Sequence, residues 1–390
     1  MNEIDIGEIL HHMGERDLPS NAVSPPIFQT SIFSFASFDD FKKAMDDEQK
    51  SFIYSRGNNP TVNLVELKIA ALEGGERAKL VSSGSAAISH CIMGFVKAGD
   101  HIVAVRDCYS WAHHLMSDYL PRFGVETSYV DGRDSAEFEA AIRPNTKLIY
   151  LESPTTLTFK LQDIGAVAAI AKAHGIKTVI DNTWCTPLYQ NPIALGIDLV
   201  LHSVSKYLGG HSDVVAGVII GSDRDISHIF AAEFQQFGTV PDPFMAWLVL
   251  RGMRTLHVRL AAHDAAGREV AAFLEGHQAV ESVLHPFLGS YPQAELAARQ
   301  MRGGASLFSF RLKTRDVKKV KAFVDNLTLF KLAVSWGGYE SLVFPNAVSP
   351  FAGGIIPEDR VSLIRVHIGL EDRKLLIADL DRALMAMDCA

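Results

Sequence analysis

The chain has no run of 18 apolar residues, no basic cluster and no two cysteines at Cys-x-x-Cys spacing. The first absence argues against a membrane-spanning helix, which needs about 20 apolar residues in succession. Lys and Arg number 37 against 45 Asp and Glu, for a formal net charge of −8. No basic patch is left to neutralise phosphates, so nucleic acid and anionic membrane are poor partners, and a small metabolite is expected instead. Cys91, Cys108, Cys185 and Cys389 are scattered. That argues against a zinc ribbon, a redox motif and a disulfide framework, and leaves reduced, mostly buried thiols. His11-His12 and His113-His114 are adjacent rather than four apart, so no metal site is expected. Met1 to Gly14 has acidic residues and no basic start followed by an apolar core, which reads as no secretory signal and a cytoplasmic location. A Gly-x-Gly-x-x-Gly fingerprint is also missing, which sets a nicotinamide oxidoreductase aside.

What is present is apolar content, 48% of 390 residues, enough for a large core and about two domains. Residues 1–60 lack sustained periodicity and carry Pro19, Pro25, Pro26 and Gly57-Asn58-Asn59-Pro60, so they are expected to wrap a surface. From Thr61, read as a helix cap, Leu64, Leu67, Ala71 and Leu72 recur at helical spacing until Gly74-Gly75. Strand-like runs then follow at 78–81, 101–105, 127–130, 147–151, around Asp181, around Lys206 and at 216–221. Helical stretches lie between the earlier ones, through Phe95, near 111–122, 135–142 and 164–174. Repeated units of this kind predict an α/β domain over 61–250 with a mostly parallel sheet covered on both faces. Phe244 to Leu260 reads as one long linker helix into a smaller α+β domain over 251–390. Its strands are expected at 306–310 and 363–368 and its helices at 316–326 and 372–387.

The chemistry concentrates in Val200-Leu201-His202-Ser203-Val204-Ser205-Lys206-Tyr207-Leu208-Gly209-Gly210-His211. In a strand, Ser203 and Ser205 share a face and can both donate to one anion, with Lys206 at the strand end. A desolvated lysine loses proton affinity and becomes a nucleophile able to form a Schiff base. The bland alternative is a snorkelling lysine with serines capping a turn. Upstream, the strand Val179-Ile180-Asp181-Asn182-Thr183 delivers a carboxylate to its C-terminal end. Open α/β sheets bind ligands outside such ends, and pyridoxal phosphate needs both an aldehyde-trapping lysine and an acid facing its ring nitrogen. The turn Ser82-Ser83-Gly84-Ser85-Ala86-Ala87 before a helix is either an anion site made of exposed amides or simply tight packing. Tyr109, past the 101–105 strand, can stack on a flat ring or serve the core. Tyr54-Ser55-Arg56 is a phenol and a guanidinium fit for phosphate, or a solvated turn, which composition alone favours. Arg365 lies inside an apolar strand and needs an anion, either a substrate carboxylate or a structural acid.

These residues resemble the Cys/Met-metabolism branch of the fold-type I pyridoxal phosphate enzymes, which holds the cystathionine β- and γ-lyases, cystathionine γ-synthase and methionine γ-lyase. The likeness runs from Pro25-Pro26-Ile27-Phe28-Gln29-Thr30-Ser31 to Ile364-Arg365-Val366-His367-Ile368-Gly369-Leu370-Glu371. It takes in Tyr54-Ser55-Arg56 before Asn59-Pro60-Thr61, and Ser205-Lys206-Tyr207 before Gly210-His211. It implies a seven-stranded, mostly parallel sheet sandwiched by helices, a smaller α+β C-terminal domain, and pyridoxal 5'-phosphate as cofactor. By the same resemblance Lys206 holds the cofactor covalently, Asp181 pairs with its ring nitrogen and Tyr109 stacks on it. Gly84, Ser85, Ser203 and Ser205 bind its phosphate, joined by Tyr54 and Arg56 from a neighbouring subunit. Residues 1–60 then become an arm, in a homotetramer built as a dimer of active dimers. Arg365 and the Ser335 backbone take the substrate α-carboxylate, with Tyr54, Val334 and Trp336 also at the substrate.

Ser335-Trp336-Gly337-Gly338-Tyr339-Glu340-Ser341-Leu342, Glu152-Ser153-Pro154 and His367-Ile368-Gly369-Leu370-Glu371 are most similar to the bacterial β-lyase branch. The implied reaction is β-elimination of cystathionine to homocysteine, pyruvate and ammonia, in trans-sulfuration and methionine biosynthesis. Val334 is shared with the methionine γ-lyase branch, so γ-elimination stays open, as does a regulatory protein that binds the cofactor.

Overall fold

The computed structural model describes residues 6–349 and 358–387; Cys389 lies outside them. Seven strands, β1 (Arg77–Val81), β2 (His101–Val105), β3 (Glu126–Val130), β4 (Thr146–Glu152), β5 (Lys177–Asp181), β6 (Leu199–Ser203) and β7 (Gly217–Gly221), form one sheet in the order β1-β7-β6-β5-β4-β2-β3. The pairs from β3 through β6 are parallel, while β7 runs antiparallel to both β1 and β6. Every residue of β2 and β7 is buried, which is why these strands read as unbroken apolar runs rather than alternating ones. Val218 and Ile220 pack with Val65, Ile69, Val249 and Leu250 on one side. Ile219 packs with Ala87, Ile88 and Ile92 on the other. The sheet is therefore covered by helices on both faces, as expected.

Five further strands, β8 (Val280–Leu284), β9 (Leu307–Leu312), β10 (Lys331–Leu332), β11 (Leu342–Pro345) and β12 (Leu363–His367), make a second sheet in the order β10-β11-β12-β9-β8. It is antiparallel except for β10 on β11. The helices Val317–Asn326 and Arg373–Ala386 fall where expected, capped by the Asp316 and Asp372 carboxylates.

Three local expectations change. Asn59, not Thr61, caps the Pro60–Glu73 helix: its side chain accepts the Thr61 N–H, and Pro60 occupies the first turn, where no amide is needed. The stretch 111–122 is not one regular helix. Ser110–His114 widens into a π-helical turn, Leu115–Tyr119, and closes as a 3-10 turn, Leu120–Phe123, where Pro121 has no amide to give. The long linker helix is two helices, Pro243–Met253 and Leu256–Gly276. The Arg259 guanidinium takes the Gly252 carbonyl at 2.8 Å and the Tyr207 carbonyl at 2.9 Å, and the Thr255 hydroxyl also reaches the Gly252 carbonyl. That break fastens the helix pair to the turn that follows β6. Residues 1–60 hold two helices that periodicity did not show, Ile6–His11 and Phe38–Asp46. The buried Lys68 ammonium takes the Ile9 and Leu10 carbonyls and pairs with Glu15 at 2.9 Å, which anchors the start of the segment.

A Cβ at Gly252 would lie 2.2 Å from the Gly209 carbonyl oxygen, a backbone atom that cannot rotate away. Gly252→Ala is expected to destabilise the fold by about 1–3 kcal/mol through overpacking, read as a lower urea midpoint with an unchanged slope.

Candidate active site

Three strands bring chemistry to the same edge of the large sheet. Asp181 ends β5, Glu152 ends β4 in register beside it, and Ser203 ends β6. Ligands of parallel α/β sheets sit outside such C-terminal edges. Asp181 Oδ1 accepts both the Thr183 amide, at 2.9 Å, and the Thr183 hydroxyl, while that hydroxyl accepts the Ser203 N–H at 2.8 Å. Both bonds fall on Oδ1, which leaves Oδ2 outside this pair of bonds. Burial pushes the Asp181 carboxyl up, and the Thr183 bonds, His202 and Lys206 draw it back toward the ionised form. Glu152 is raised well above the usual carboxylate range by burial and then by Asp181, and it accepts the Tyr109 N–H at 2.6 Å. Glu152 thereby fixes the start of the helix that Tyr109 precedes.

The turn after β6 corrects the strand reading of the lysine segment. β6 stops at Ser203, and Ser205 and Lys206 lie in a turn closed by Lys206 N–H to Ser203 O and Gly209 N–H to Val204 O. Ser205 thus shares no strand face with Ser203. Its hydroxyl is bonded to the Ala216 backbone, accepting the N–H at 3.1 Å and meeting the carbonyl at 3.3 Å. Gly209 and Gly210, in the turn after β6, let it lie close to its neighbours, and the loop after β10 packs against it. A Cβ at Gly337, φ +87, would lie within 2.7–2.9 Å of the backbone of Tyr207 and Lys206.

Lys206 Nζ donates to the Ser335 hydroxyl and lies 5.5 Å from the centre of the Trp336 ring. Burial, and then the Arg365 charge, lower its pKa from 10.5 to about 8, with Asp181 pulling the other way. The amine and the acid therefore act on one another across one cleft. Arg365 donates to the Ser335 carbonyl at 3.4 Å, and burial lowers its pKa to about 10. No acidic side chain bonds it among the described residues, so the structural-acid alternative for Arg365 finds no support. Val334 beside it is 73% exposed.

The turn 82–87 is an anion-ready site. The Gly84–Met93 helix is capped by the Ser83 hydroxyl, which accepts the Ala86 N–H at 3.1 Å. The Gly84 and Ser85 amides have no acceptor within the helix. A Cβ at Gly84 would lie 2.8 Å from Ser203 Cβ, and one at Gly217 would lie 2.2 Å from the Ser83 carbonyl oxygen. Two glycines thus let the amides and the Ser203 hydroxyl converge. Tyr109 borders the same space: its hydroxyl is within reach of the Ser85 side chain, and burial, Asp181 and Glu152 raise its pKa so that it stays protonated. Donors for a phosphate, an acid for a ring nitrogen and a free amine for an aldehyde are what pyridoxal phosphate requires, and this donor set fits it.

Tyr54 and Arg56 are not brought to this cleft. Tyr54 pairs with Ile32 in a β-bridge, and Arg56 donates to Gln235 at 2.9 Å and stacks over the Tyr54 ring. Trp247, beside the segment, donates its indole N–H to the Pro25 carbonyl at 3.0 Å. Sequence reasoning missed Glu152 and Thr183. The first needed the 147–151 strand extended by one residue; the second was visible as a hydroxyl two residues after the acid.

The layout defines a pyridoxal phosphate-dependent enzyme. The family model for the Cys/Met metabolism PLP-dependent enzyme matches residues 8–385, and the chain belongs to that family. It is 40% identical over 382 residues to an L-methionine gamma-lyase of Treponema denticola, covering 96% of this chain and 95% of that one. It is also 40% identical over 384 residues to a cystathionine beta-lyase of Lactococcus lactis, covering 97% and 98%. The crystal structure of metB from Corynebacterium glutamicum superposes with a TM-score of 0.91 at 35% identity, covering 98% of both chains. With these relatives, the chain is a pyridoxal phosphate-dependent carbon–sulfur lyase of the Cys/Met family.

A lysine with its pKa near 8 is mostly charged at pH 7 and mostly free at pH 9. When cofactor-free protein is mixed with pyridoxal phosphate at a series of pH values, the capture rate should rise to a plateau with a midpoint near 8. An unperturbed lysine would still be climbing at pH 10. Arg365→Met removes a positive neighbour and should move the midpoint up; Asp181→Asn removes a negative one and should move it down.

Proposed function

We propose that the chain catalyses β-elimination of L-cystathionine, giving homocysteine, pyruvate and ammonia. The observation that carries this is the Lys206 amine, its pKa lowered to about 8 among Ser335 of the loop, Arg365 of β12 and the Asp181 carboxylate. Bound pyridoxal phosphate supplies the electron sink for the charge left when a carbon loses its proton. Asp181 holds the ring nitrogen protonated, an ion pair at contact distance being worth about 4 kcal/mol in a partly screened interior. The Gly84 and Ser85 amides with the Ser203 hydroxyl would hold the phosphate, joined by the Ser205 hydroxyl when it turns away from the Ala216 carbonyl, and Tyr109 would stack on the ring. Arg365 and the Ser335 backbone grip the α-carboxylate, beside Trp336. Lys206 then removes the Cα proton, and homocysteine leaves from Cβ as its thiolate. Addition of water to the remaining three-carbon unit yields pyruvate and ammonia. This route asks the fewest proton transfers of the one amine in the cleft.

A second reading is γ-elimination. Val334, exposed and apolar at the mouth of the loop, suits a thioether without a second charged end, such as methionine. The wider proposal follows the same reading: an arm over 1–60 that lends Tyr54 and Arg56 to a neighbouring subunit, a cofactor domain over 61–250 and a smaller domain over 251–390. The assembly is a homotetramer working in trans-sulfuration and methionine biosynthesis in the cytoplasm. Among the described residues, no helix is long and apolar enough to cross a membrane.

Purified protein with pyridoxal phosphate and L-cystathionine should yield pyruvate and homocysteine. A yield of 2-oxobutyrate and cysteine would move the assignment to γ-elimination, and methanethiol from methionine would identify the thioether branch. Lys206→Ala and Arg56→Ala, each nearly inactive alone, should regain a substantial fraction of the parent rate when refolded as a mixture. No recovery would show that the arm serves its own chain.

A further inference from the structure

Strand β12 presents Arg365 and His367 on one face, two residues apart. Arg365 reaches the loop at the Ser335 carbonyl. His367, fully buried, reaches the same loop two residues on: Nε2 lies 3.2 Å from the Gly337 amide nitrogen and 3.1 Å from the Gly338 carbonyl oxygen. A neutral imidazole nitrogen either accepts or donates, so Nε2 holds one of these two groups at a time. Burial, and then His263, push the His367 pKa down to about 3, so the ring is neutral across the working range. Its Nδ1 lies 3.1 Å from Ser306 Oγ, which also meets Tyr207 at 3.3 Å and His263 Nδ1 at 3.1 Å. Tyr207 directly follows Lys206, and its ring packs on Trp336, His263 and His367.

The loop needs such a tether. Ser335 adopts φ +75 and Gly337 φ +87, and the serine holds a left-handed conformation only if its surroundings impose it. Arg365 offers one long contact to a carbonyl, and Lys206 reaches only the Ser335 side chain. His367 adds a hold on the loop backbone at Gly337 and Gly338, and through Ser306 it joins the loop to the residue beside the reactive amine.

We infer that His367 is a positioning residue, which seats the Ser335–Gly338 loop so that Arg365 and the Ser335 backbone meet the substrate α-carboxylate within reach of Lys206. The inference rests on the carboxylate seat proposed above. It assigns no contact between His367 and the substrate.

The test uses the holoenzyme and two ligands that cannot eliminate: glycine, which carries the carboxylate, and methylamine, which lacks it. Binding of each is followed by the change in cofactor absorbance. His367→Leu is expected to weaken glycine at least tenfold and leave methylamine within twofold, with a higher KM for cystathionine and a smaller change in kcat. His367→Gln offers a donor and an acceptor together and should stay within threefold of the parent for glycine. Equal weakening of both ligands, or parent-like glycine binding in His367→Leu while Arg365→Leu loses it, overturns the role of His367. Parent-like glycine binding in Arg365→Leu overturns the carboxylate seat itself. Should His367→Leu fail to accumulate as soluble protein, His367→Asn reads the same way: selective loss of glycine supports the inference, and parent-like glycine binding overturns it.

Discussion

Desolvation of one amine is the constraint that the rest of the site answers to. Lys206 sits on a turn, not a strand, and the turn is packed too closely for side chains on three sides: Gly209 and Gly210 lie within it, Gly252 presses on the Gly209 carbonyl, and Gly337 lies on its backbone. Close packing of backbone on backbone excludes water from the lysine stem and lowers the amine pKa. The same packing fixes where Nζ can reach, because a short rigid turn leaves only the side-chain torsions free. Asp181 is treated in the opposite sense. Thr183 hydrogen bonds, with His202 and Lys206 nearby, oppose its burial only in part, so the Asp181 carboxyl stays above its ordinary value.

Much of the large sheet was legible because burial on both faces leaves unbroken apolar runs. The strands at 101–105 and 217–221, the helix Ile164–His174 and the capped helices at 317 and 373 all follow from local signals. What local signals could not show were elements whose form is set from outside. The 244–260 stretch carries no proline to mark a stop, yet it breaks at Thr255 because Arg259 claims carbonyls from two elements at once. The short strands β10 and β11 are too brief for periodicity to register, and Phe38–Asp46 lies in a segment without sustained periodicity.

For the site, residue type carried further than geometry. The charges of Lys206, Asp181 and Arg365 do act on one another, but Ser203 and Ser205 share no strand face, because β6 ends at Ser203. Glu152 entered only as part of a family motif, because the expected strand stopped at Leu151 and left the acid outside it. The roles proposed for Tyr54 and Arg56 rest on the resemblance to a family, and within the chain Arg56 bonds Gln235 instead.

Arg365 has a consequence for timing. Its charge suppresses protonation of Lys206 from across the cleft. A carboxylate bound at Arg365 in the proposed way would neutralise the guanidinium and remove that suppression, so the amine would grow more basic as the molecule to be deprotonated docks. Proton affinity would then be switched on by occupancy, and a ligand without an anionic end would meet a weaker base than an amino acid does.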